Sequence, residues 1–96
     1  MRAELHPIAR AELLEIARYI EDRRTGYGQR FLRAFARARD YLLQYPHGGP
    51  KARGARRKRI MGFRYDVIYR VYHDLIFIVA IAHHRRKPFW SHRFRR

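Results

Sequence analysis

The chain has 96 residues, of which 47% are hydrophobic, so it is long enough to bury one modest core. It contains no cysteine, which excludes disulfides and thiolate metal sites. Lys and Arg outnumber Asp and Glu by 23 to 8, giving a net charge of +15 that resides mainly in residues 51–96. This excess of one sign indicates a polyanionic partner, either nucleic acid or an acidic protein segment, because a solubilising surface would mix both signs.

The apolar segments predict a soluble cytoplasmic protein. Residues 1–12 lack the apolar stretch of a signal peptide, and the run 75–82 is too short to span a bilayer. The basic residues do not follow an amphipathic helix, so no membrane partner is expected. No cofactor and no metal are expected either, because adjacent His83 and His84 at a strand end should point opposite ways and cations surround them and His92.

Residues 2–6 predict a short strand, and Pro7 predicts the start of a helix that runs to about Arg23. Glu12 and Glu15 are interpreted as dipole and solubility residues of this helix. The Gly-Tyr-Gly segment 26–28 breaks the chain. A second helix is predicted from Gln29 to Tyr45, where Pro46 ends it.

The second predicted helix has two apolar rows. The expected core stripe is Phe31, Phe35, Ala38, Leu42 and Tyr45. A further row consists of Leu32, Ala36 and Leu43. A helix packed on one side of a small domain needs a single stripe, so either the first helix covers the second row or a partner binds it.

Three strands are predicted over residues 57–61, 65–72 and 75–83, with a tight turn at residues 73–74. The run 75–82 is apolar on both faces, which predicts a central strand covered on both sides. The sequence therefore predicts an α+β fold of order β-α-α-β-β-β, in which a two-helix hairpin packs on a small antiparallel sheet as one domain over residues 1–96.

Two basic clusters flank the predicted sheet, one in residues 51–59 and one in residues 83–93. An antiparallel meander would bring them to a common face suited to phosphate or target binding. Trp90 is interpreted either as a stacking surface for an unpaired base or as a cap over the core. The candidate target-binding or nucleic-acid-binding residues are Arg56, Arg57, Arg59, Arg85, Arg86, Trp90 and Arg93.

The segments HPIARAELLEIARYI and RRKRIMGFRYDVIYRVYHDLIFIVAIAHHRRKPFW, in this order, resemble the RelE/ParE superfamily of toxins from type II toxin–antitoxin modules. The resemblance extends over about residues 3–93. It implies two helices on a small sheet and a cognate acidic antitoxin that forms a hetero-oligomeric complex with the toxin. The antitoxin is expected to contact Leu32, Ala36 and Leu43.

The superfamily implies two alternative activities: RelE-like members cut mRNA in the ribosome, and ParE-like members inhibit DNA gyrase. A metal-independent endoribonuclease of this kind would use candidates among Lys58, Arg59, Arg64, His83 and Arg86. The sequence departs from the nuclease branch at two positions: Asp66 replaces an arginine, and Trp90 replaces a tyrosine-like acid–base group. These departures favour the ParE-like branch. A RelE-like ribonuclease and a basic RNA-binding protein without toxin activity are the alternatives.

Overall fold

The structure, a computed structural model, describes residues 1–94, apart from the side chains of residues 52, 91 and 94. In chain order the elements are β1 (Arg2–Leu5), α1 (Pro7–Arg23), α2 (Tyr27–Gln44), β2 (Lys51–Ala52), β3 (Ala55–Arg59), β4 (Tyr65–Tyr72), β5 (Leu75–His83) and a 3₁₀ helix (Ser91–Phe94). The predicted α+β fold is confirmed, and the two-residue β2 is added to the predicted order. Within residues 1–94, neither helix has the length and apolar character needed to cross a membrane.

The strands form one sheet in the order β1-β5-β4-β3-β2. β3, β4 and β5 pair antiparallel, as predicted, and the added β2 pairs antiparallel with β3. β1 pairs in parallel with β5, with Arg2 opposite Leu75 and Leu5 opposite Ile78, so the complete sheet is mixed. β5 lies between β1 and β4, and residues 75–82 are all buried, which confirms the prediction of a central strand.

The first helix begins at the predicted residue. Pro7 occupies the first helical position, where its missing N–H leaves no hydrogen bond unmade. The side chain of His6 caps this end, since its Nδ1 accepts a hydrogen bond of 3.0 Å from the Ile8 N–H.

The second helix begins at Tyr27 rather than at Gln29. The Glu21 carboxylate accepts hydrogen bonds of 2.9 Å from the N–H groups of Gly26 and Gly28, so a side chain of α1 satisfies the free donors at the start of α2. A Cβ atom on Gly28 would lie 2.7 Å from the carbonyl oxygen of Ala17, so the two helices approach closely there.

Both helices pack on one face of the sheet. Four members of the predicted core stripe are buried there: Phe31, Phe35, Ala38 and Leu42. The prediction was wrong for Tyr45, whose surface is 51% exposed. The helix ends at Gln44, and the Tyr45 backbone leaves the helical conformation with φ −129°, which turns its side chain away from the stripe.

The other face of the sheet is covered by the segment that follows β5. Trp90 is buried there in an apolar cluster with Ile68 of β4 and with Val79 and Ala80 of β5. The pairing of β4 with β5 shifts by one residue at Ile68–Tyr69, so Val79 has no partner on β4. Because of this shift, the adjacent residues Val79 and Ala80 both belong to this cluster. The single tryptophan is therefore part of a second core.

β3 spans Ala55–Arg59, so the prediction of a strand over residues 57–61 was wrong by two residues at each end. Arg53 and Gly54 have positive φ values of 52° and 80°, which form a tight turn and allow the basic segment to fold back on itself as β2 and β3. At the other end of β3, the Ile60 N–H donates a hydrogen bond of 2.9 Å to the Tyr65 carbonyl oxygen.

Candidate target-binding site

One end of the sheet collects basic residues from three separate segments. Arg59 ends β3, Arg64 directly precedes β4, and His83 ends β5. Antiparallel pairing of β4 with both neighbours brings these positions to one end. The His84 N–H donates a hydrogen bond of 3.0 Å to the Arg64 carbonyl oxygen, which ties two of the segments together. The two basic clusters of the sequence therefore approach one another at this end of the sheet.

A buried carboxylate neutralises part of the basic surface. Asp66 is only 5% exposed, and its two oxygens accept hydrogen bonds from Arg57 Nε at 3.0 Å and from Arg59 Nε at 2.7 Å. Short charge-assisted bonds of this kind hold both guanidiniums against the sheet. Asp66, which replaces an arginine of the nuclease branch, thus faces two cations of its own sheet.

Strand alternation separates the predicted basic residues of β3. Arg57 and Arg59 lie on the face of Asp66, whereas Arg56 and Lys58 lie on the helix side. Arg56 Nη1 donates hydrogen bonds to the carbonyl oxygens of two residues in the loop before β2, at 3.2 and 2.9 Å. Lys58 Nζ lies 4.7 Å from the ring centroid of Tyr41. Arg56, Arg57 and Arg59 therefore do not form the single phosphate-binding surface that the sequence predicted.

Trp90 packs inside the protein. Its surface is 2% exposed, and the guanidinium of Arg57 lies 5.3 Å from its ring centroid. A buried indole presents no face for a base to stack on. Of the two interpretations of Trp90, the structure corresponds to the cap over the core and not to the nucleic-acid contact.

Arg93 is also a structural residue. It is 7% exposed, and its Nη1 donates hydrogen bonds of 2.9 Å to Glu12 Oε1 and 3.1 Å to the Val79 carbonyl oxygen. Glu12 Oε1 also accepts a hydrogen bond of 3.2 Å from the Ile81 N–H. The prediction that Arg93 contacts the target is corrected, because α1 and β5 bury its guanidinium. The interpretation of Glu12 as a dipole and solubility residue missed this contact, since no sequence period connects positions 12 and 93.

The predicted target-binding residues directly after β5 are exposed and form no ion pair with a described residue of the fold. Arg85 and Arg86 are both solvent-exposed. The guanidinium of Arg86 lies 3.8 Å from the ring centroid of Phe89, which orders the side chain and leaves its N–H edge accessible. Among the predicted target-binding residues, these two are placed best to contact a partner.

The histidines at the end of β5 lie side by side. The rings of His83 and His84 stack with their centroids 4.6 Å apart, although the sequence predicted that they point to opposite faces. The difference arises because β5 ends at His83 and the chain turns immediately after it. Partial burial, followed by the positive charges of the neighbouring residues, lowers the pKa of His83 below its usual 6.5. No group of three possible metal ligands occurs among the described residues.

The residues expected to bind an antitoxin lie on α2 and are half-buried. Leu32 and Leu43 pack against the helix-side core, and Ala36 is partly covered as well. Leu32 lines a cavity of about 460 Å³ between α1 and α2, together with Leu14, which is 47% exposed. The first helix thus covers the second row in part, and an apolar groove remains open beside it.

The comparisons with known proteins are consistent with this fold. A family model described as "ParE toxin of type II toxin-antitoxin system, parDE" matches residues 3–88. The comparison with curated sequences gives no match. The family match covers most of the chain, including both helices and β3, β4 and β5. The chain therefore belongs to the ParE toxin family of type II toxin–antitoxin systems, within the RelE/ParE superfamily, and this membership implies a cognate antitoxin as its partner.

Proposed function

We propose that this toxin arrests growth by inhibiting DNA gyrase, and that an acidic antitoxin neutralises it. The observation that carries the choice of gyrase over mRNA is the ion triad that the buried Asp66 forms with Arg57 and Arg59. In the nuclease branch, the position of Asp66 is an arginine. Here a carboxylate occupies it and binds two of the cations that a phosphate would need.

The proton donors of a nuclease are missing from the expected position as well. Phosphodiester cleavage requires a base for the 2′-hydroxyl, an acid for the leaving oxygen and cations for the charged intermediate. Trp90 replaces the acid–base residue of the nuclease branch, and its indole is buried and cannot exchange a proton at useful pH. These two features support a toxin that binds its target without cleaving RNA.

The test is induced expression with two separate readouts in the same cells. A gyrase inhibitor should relax plasmid supercoils and leave transcripts intact, and the purified toxin should inhibit supercoiling by gyrase in vitro. Arg86→Ala is the inactive control: Arg86 is exposed, so its replacement should leave the fold unchanged while growth arrest is lost. Codon-specific cuts in mRNA with unchanged supercoiling would refute the proposal.

A specific observation favours a ribosome-dependent ribonuclease as the second candidate. The lowered pKa of His83 keeps its imidazole neutral at pH 7, and Nδ1, which accepts a long hydrogen bond of 3.2 Å from the Arg85 N–H, is the atom that would take the proton. Arg64 contributes to this shift and lies at the same end of the sheet. In that case His83→Gln should abolish mRNA cleavage while the variant stays folded. An unchanged cleavage pattern in His83→Gln would exclude this mechanism.

For the antitoxin we propose the groove between α1 and α2 as a contact site. Leu14 and Leu32 line this groove, and Leu14 offers exposed apolar surface. The net charge of +15 favours an acidic partner chain, since opposite charges accelerate association and reduce the self-repulsion of the toxin.

A further inference from the structure

A cavity of about 420 Å³ opens on the helix side of the sheet, next to the end of β5. Ile16 of α1 and Ile81 of β5 form its apolar part. Tyr19 of α1 lies one turn after Glu15 and Ile16, and all three line the cavity, because residues three and four positions apart lie above one another on a helix. The volume is within the range of about 300–1,000 Å³ that is usual for small-molecule sites.

Two tyrosines give the cavity aromatic walls. Tyr65 of β4 is half-buried, and Phe31 fixes its ring by an edge contact at a centroid distance of 5.7 Å. Burial and the neighbouring phenol of Tyr19 raise the pKa of Tyr65, so the Tyr65 hydroxyl stays protonated. Tyr19 is 52% exposed, and the guanidinium of Arg23 lies 4.6 Å from its ring centroid, so Arg23 covers one face of the ring and leaves the other face for a ligand. Accessible aromatic rings of this kind are the usual stacking partners of an unpaired nucleobase.

The polar groups of the cavity differ in their hydrogen-bonding character. His83 Nδ1 accepts a hydrogen bond of 3.2 Å from the Arg85 N–H, so the neutral imidazole carries its proton on Nε2 and can donate. Glu15 is an exposed carboxylate that only accepts, and within residues 1–94 it forms no ion pair. His83 therefore offers a donor and Glu15 a two-oxygen acceptor in the same cavity, whereas the Glu12 carboxylate, which also lines it, is already paired with Arg93.

The Watson–Crick edge of guanine has the complementary pattern. It presents two adjacent N–H donors, which a carboxylate can accept together, and a carbonyl oxygen that an imidazole N–H can reach. Adenine presents a single amino donor beside an acceptor nitrogen, which would face the carboxylate unfavourably. The acceptor of Glu15 and the donor of His83 match the edge of guanine and not that of adenine.

We propose that this cavity binds a guanine nucleotide, with the base against Tyr19 and Tyr65, its Watson–Crick edge on Glu15 and His83, and its phosphate on Arg86. Arg86 lines the cavity and is exposed, and its guanidinium is held on the Phe89 ring at 3.8 Å. A planar guanidinium suits bidentate contact with a phosphate. A free nucleotide and a guanine in a single strand share this chemistry.

The experiment is calorimetric titration of the purified full chain with GMP, AMP and inorganic phosphate. We expect GMP to bind, AMP to bind at least tenfold more weakly, and phosphate alone to bind more weakly still. Equal affinity for phosphate and GMP would show a plain anion site and overturn the proposal, as would equal affinity for both purines or no binding at all. No gyrase or ribosome is present, so this result is independent of the toxin's target.

Two variants with matched controls locate the binding. Tyr19→Ala should weaken GMP binding about 5- to 150-fold, the range for losing one stacked aromatic. Tyr45→Ala, which removes an exposed tyrosine outside the cavity, should leave GMP binding unchanged. Glu15→Gln should remove the preference for GMP over AMP, whereas Asp22→Asn on the same helix should keep it. Unchanged affinity and preference in the Tyr19 and Glu15 variants would overturn the assignment of this cavity.

A second titration distinguishes the two sources of the base. An oligothymidine with one central guanine should bind more tightly than GMP if the site serves a nucleic-acid strand, and more weakly if it serves a free nucleotide. In either case free GMP should compete with the oligonucleotide. Oligonucleotide binding that GMP does not displace, together with no detectable GMP binding, would contradict the proposal.

Discussion

Trp90 and Arg86 belong to the same segment but differ in their exposure. Trp90 is 2% exposed, so Trp90→Ala should lower the free energy of unfolding by about 3–5 kcal/mol, the usual cost of truncating a large buried aromatic. Arg86 is exposed, so Arg86→Ala should cost about 0.5 kcal/mol or less and still abolish growth arrest. Chemical denaturation and a growth assay of both variants check this. Full toxicity in Arg86→Ala would place the active surface elsewhere.

Asp66 holds two arginines with a single carboxylate, so removing its charge should have a large effect. Asp66→Asn leaves Arg57 and Arg59 facing each other without a counter-charge. We expect a loss of about 2–3 kcal/mol, below the full cost of breaking a buried pair, because the Arg59 side chain is 45% exposed and water screens it. Urea denaturation gives the value. Asp74→Asn is the control, since Asp74 is 76% exposed and should change stability by about 0.5 kcal/mol or less.

His83 should make the stability of the protein depend on pH. Its pKa in the folded state is lowered from 6.5 by partial burial and then by the neighbouring charges of His84, Arg85, Arg64 and Arg59. The unfolded chain therefore binds the proton more tightly. Stability contributed by neutral His83 is present above pH 6.5 and is lost as the pH falls through the lowered value.

An NMR titration of the His83 ring should give a pKa below 6.5. The melting temperature of His83→Gln should decrease less than that of the wild type between about pH 7 and pH 5. The exposed His47 provides the control, and His47→Gln should follow the wild-type curve. A measured pKa above 6.5 for His83 would contradict the role assigned to the surrounding cations.

At the scale of elements, the groove between α1 and α2 makes a prediction about the antitoxin. Leu32 and Leu43 pack against the core, so changing them to Glu would damage the fold as well as any partner contact. Leu14 lines the same groove and is 47% exposed, which makes it the better probe. Leu14→Glu should weaken the antitoxin complex at least tenfold in a titration while the melting temperature stays close to that of the wild type. Ile8→Glu, at a 45% exposed position of the same helix outside the groove, should leave the affinity unchanged.

Helices and apolar strands could be predicted from the sequence because each has a local signal. Pro7 marks the start of α1, and the period of apolar residues defines both helices and the alternation in β4. The start of α2 depends on Glu21, a residue of the preceding helix. β3 was shifted because its residues are basic and look like a loop, and it becomes a strand by pairing with β4 and by the charge of Asp66. Contacts between positions that are far apart in the chain leave no periodic pattern in the sequence, so they could not be predicted from it.

At the scale of the whole molecule, the sequence predicted where charge accumulates but not which charges are free. Arg57, Arg59 and Arg93 all pair with carboxylates of the fold, and two of these three are largely buried. Arg85 and Arg86 stay exposed because they lie in the turn between β5 and the segment that packs on the sheet through Trp90. A formal charge count treats these five residues alike. Tertiary packing alone separates the structural cations from those available to a target.

The overall charge should make the isolated toxin more stable at higher ionic strength. A net charge of +15 is confined to a chain with a radius of gyration of 12.7 Å. The screening length falls from about 10 Å at 0.1 M salt to about 3 Å at 1 M, so like charges across the molecule stop repelling one another over this range. We expect the melting temperature of the free toxin to rise by several degrees between these two sodium chloride concentrations.

The complex with the acidic antitoxin should show a smaller rise, because the partner already neutralises part of the charge. A falling melting temperature of the free toxin would mean that the ion pairs of Asp66 and Glu12, which salt weakens, outweigh the repulsion.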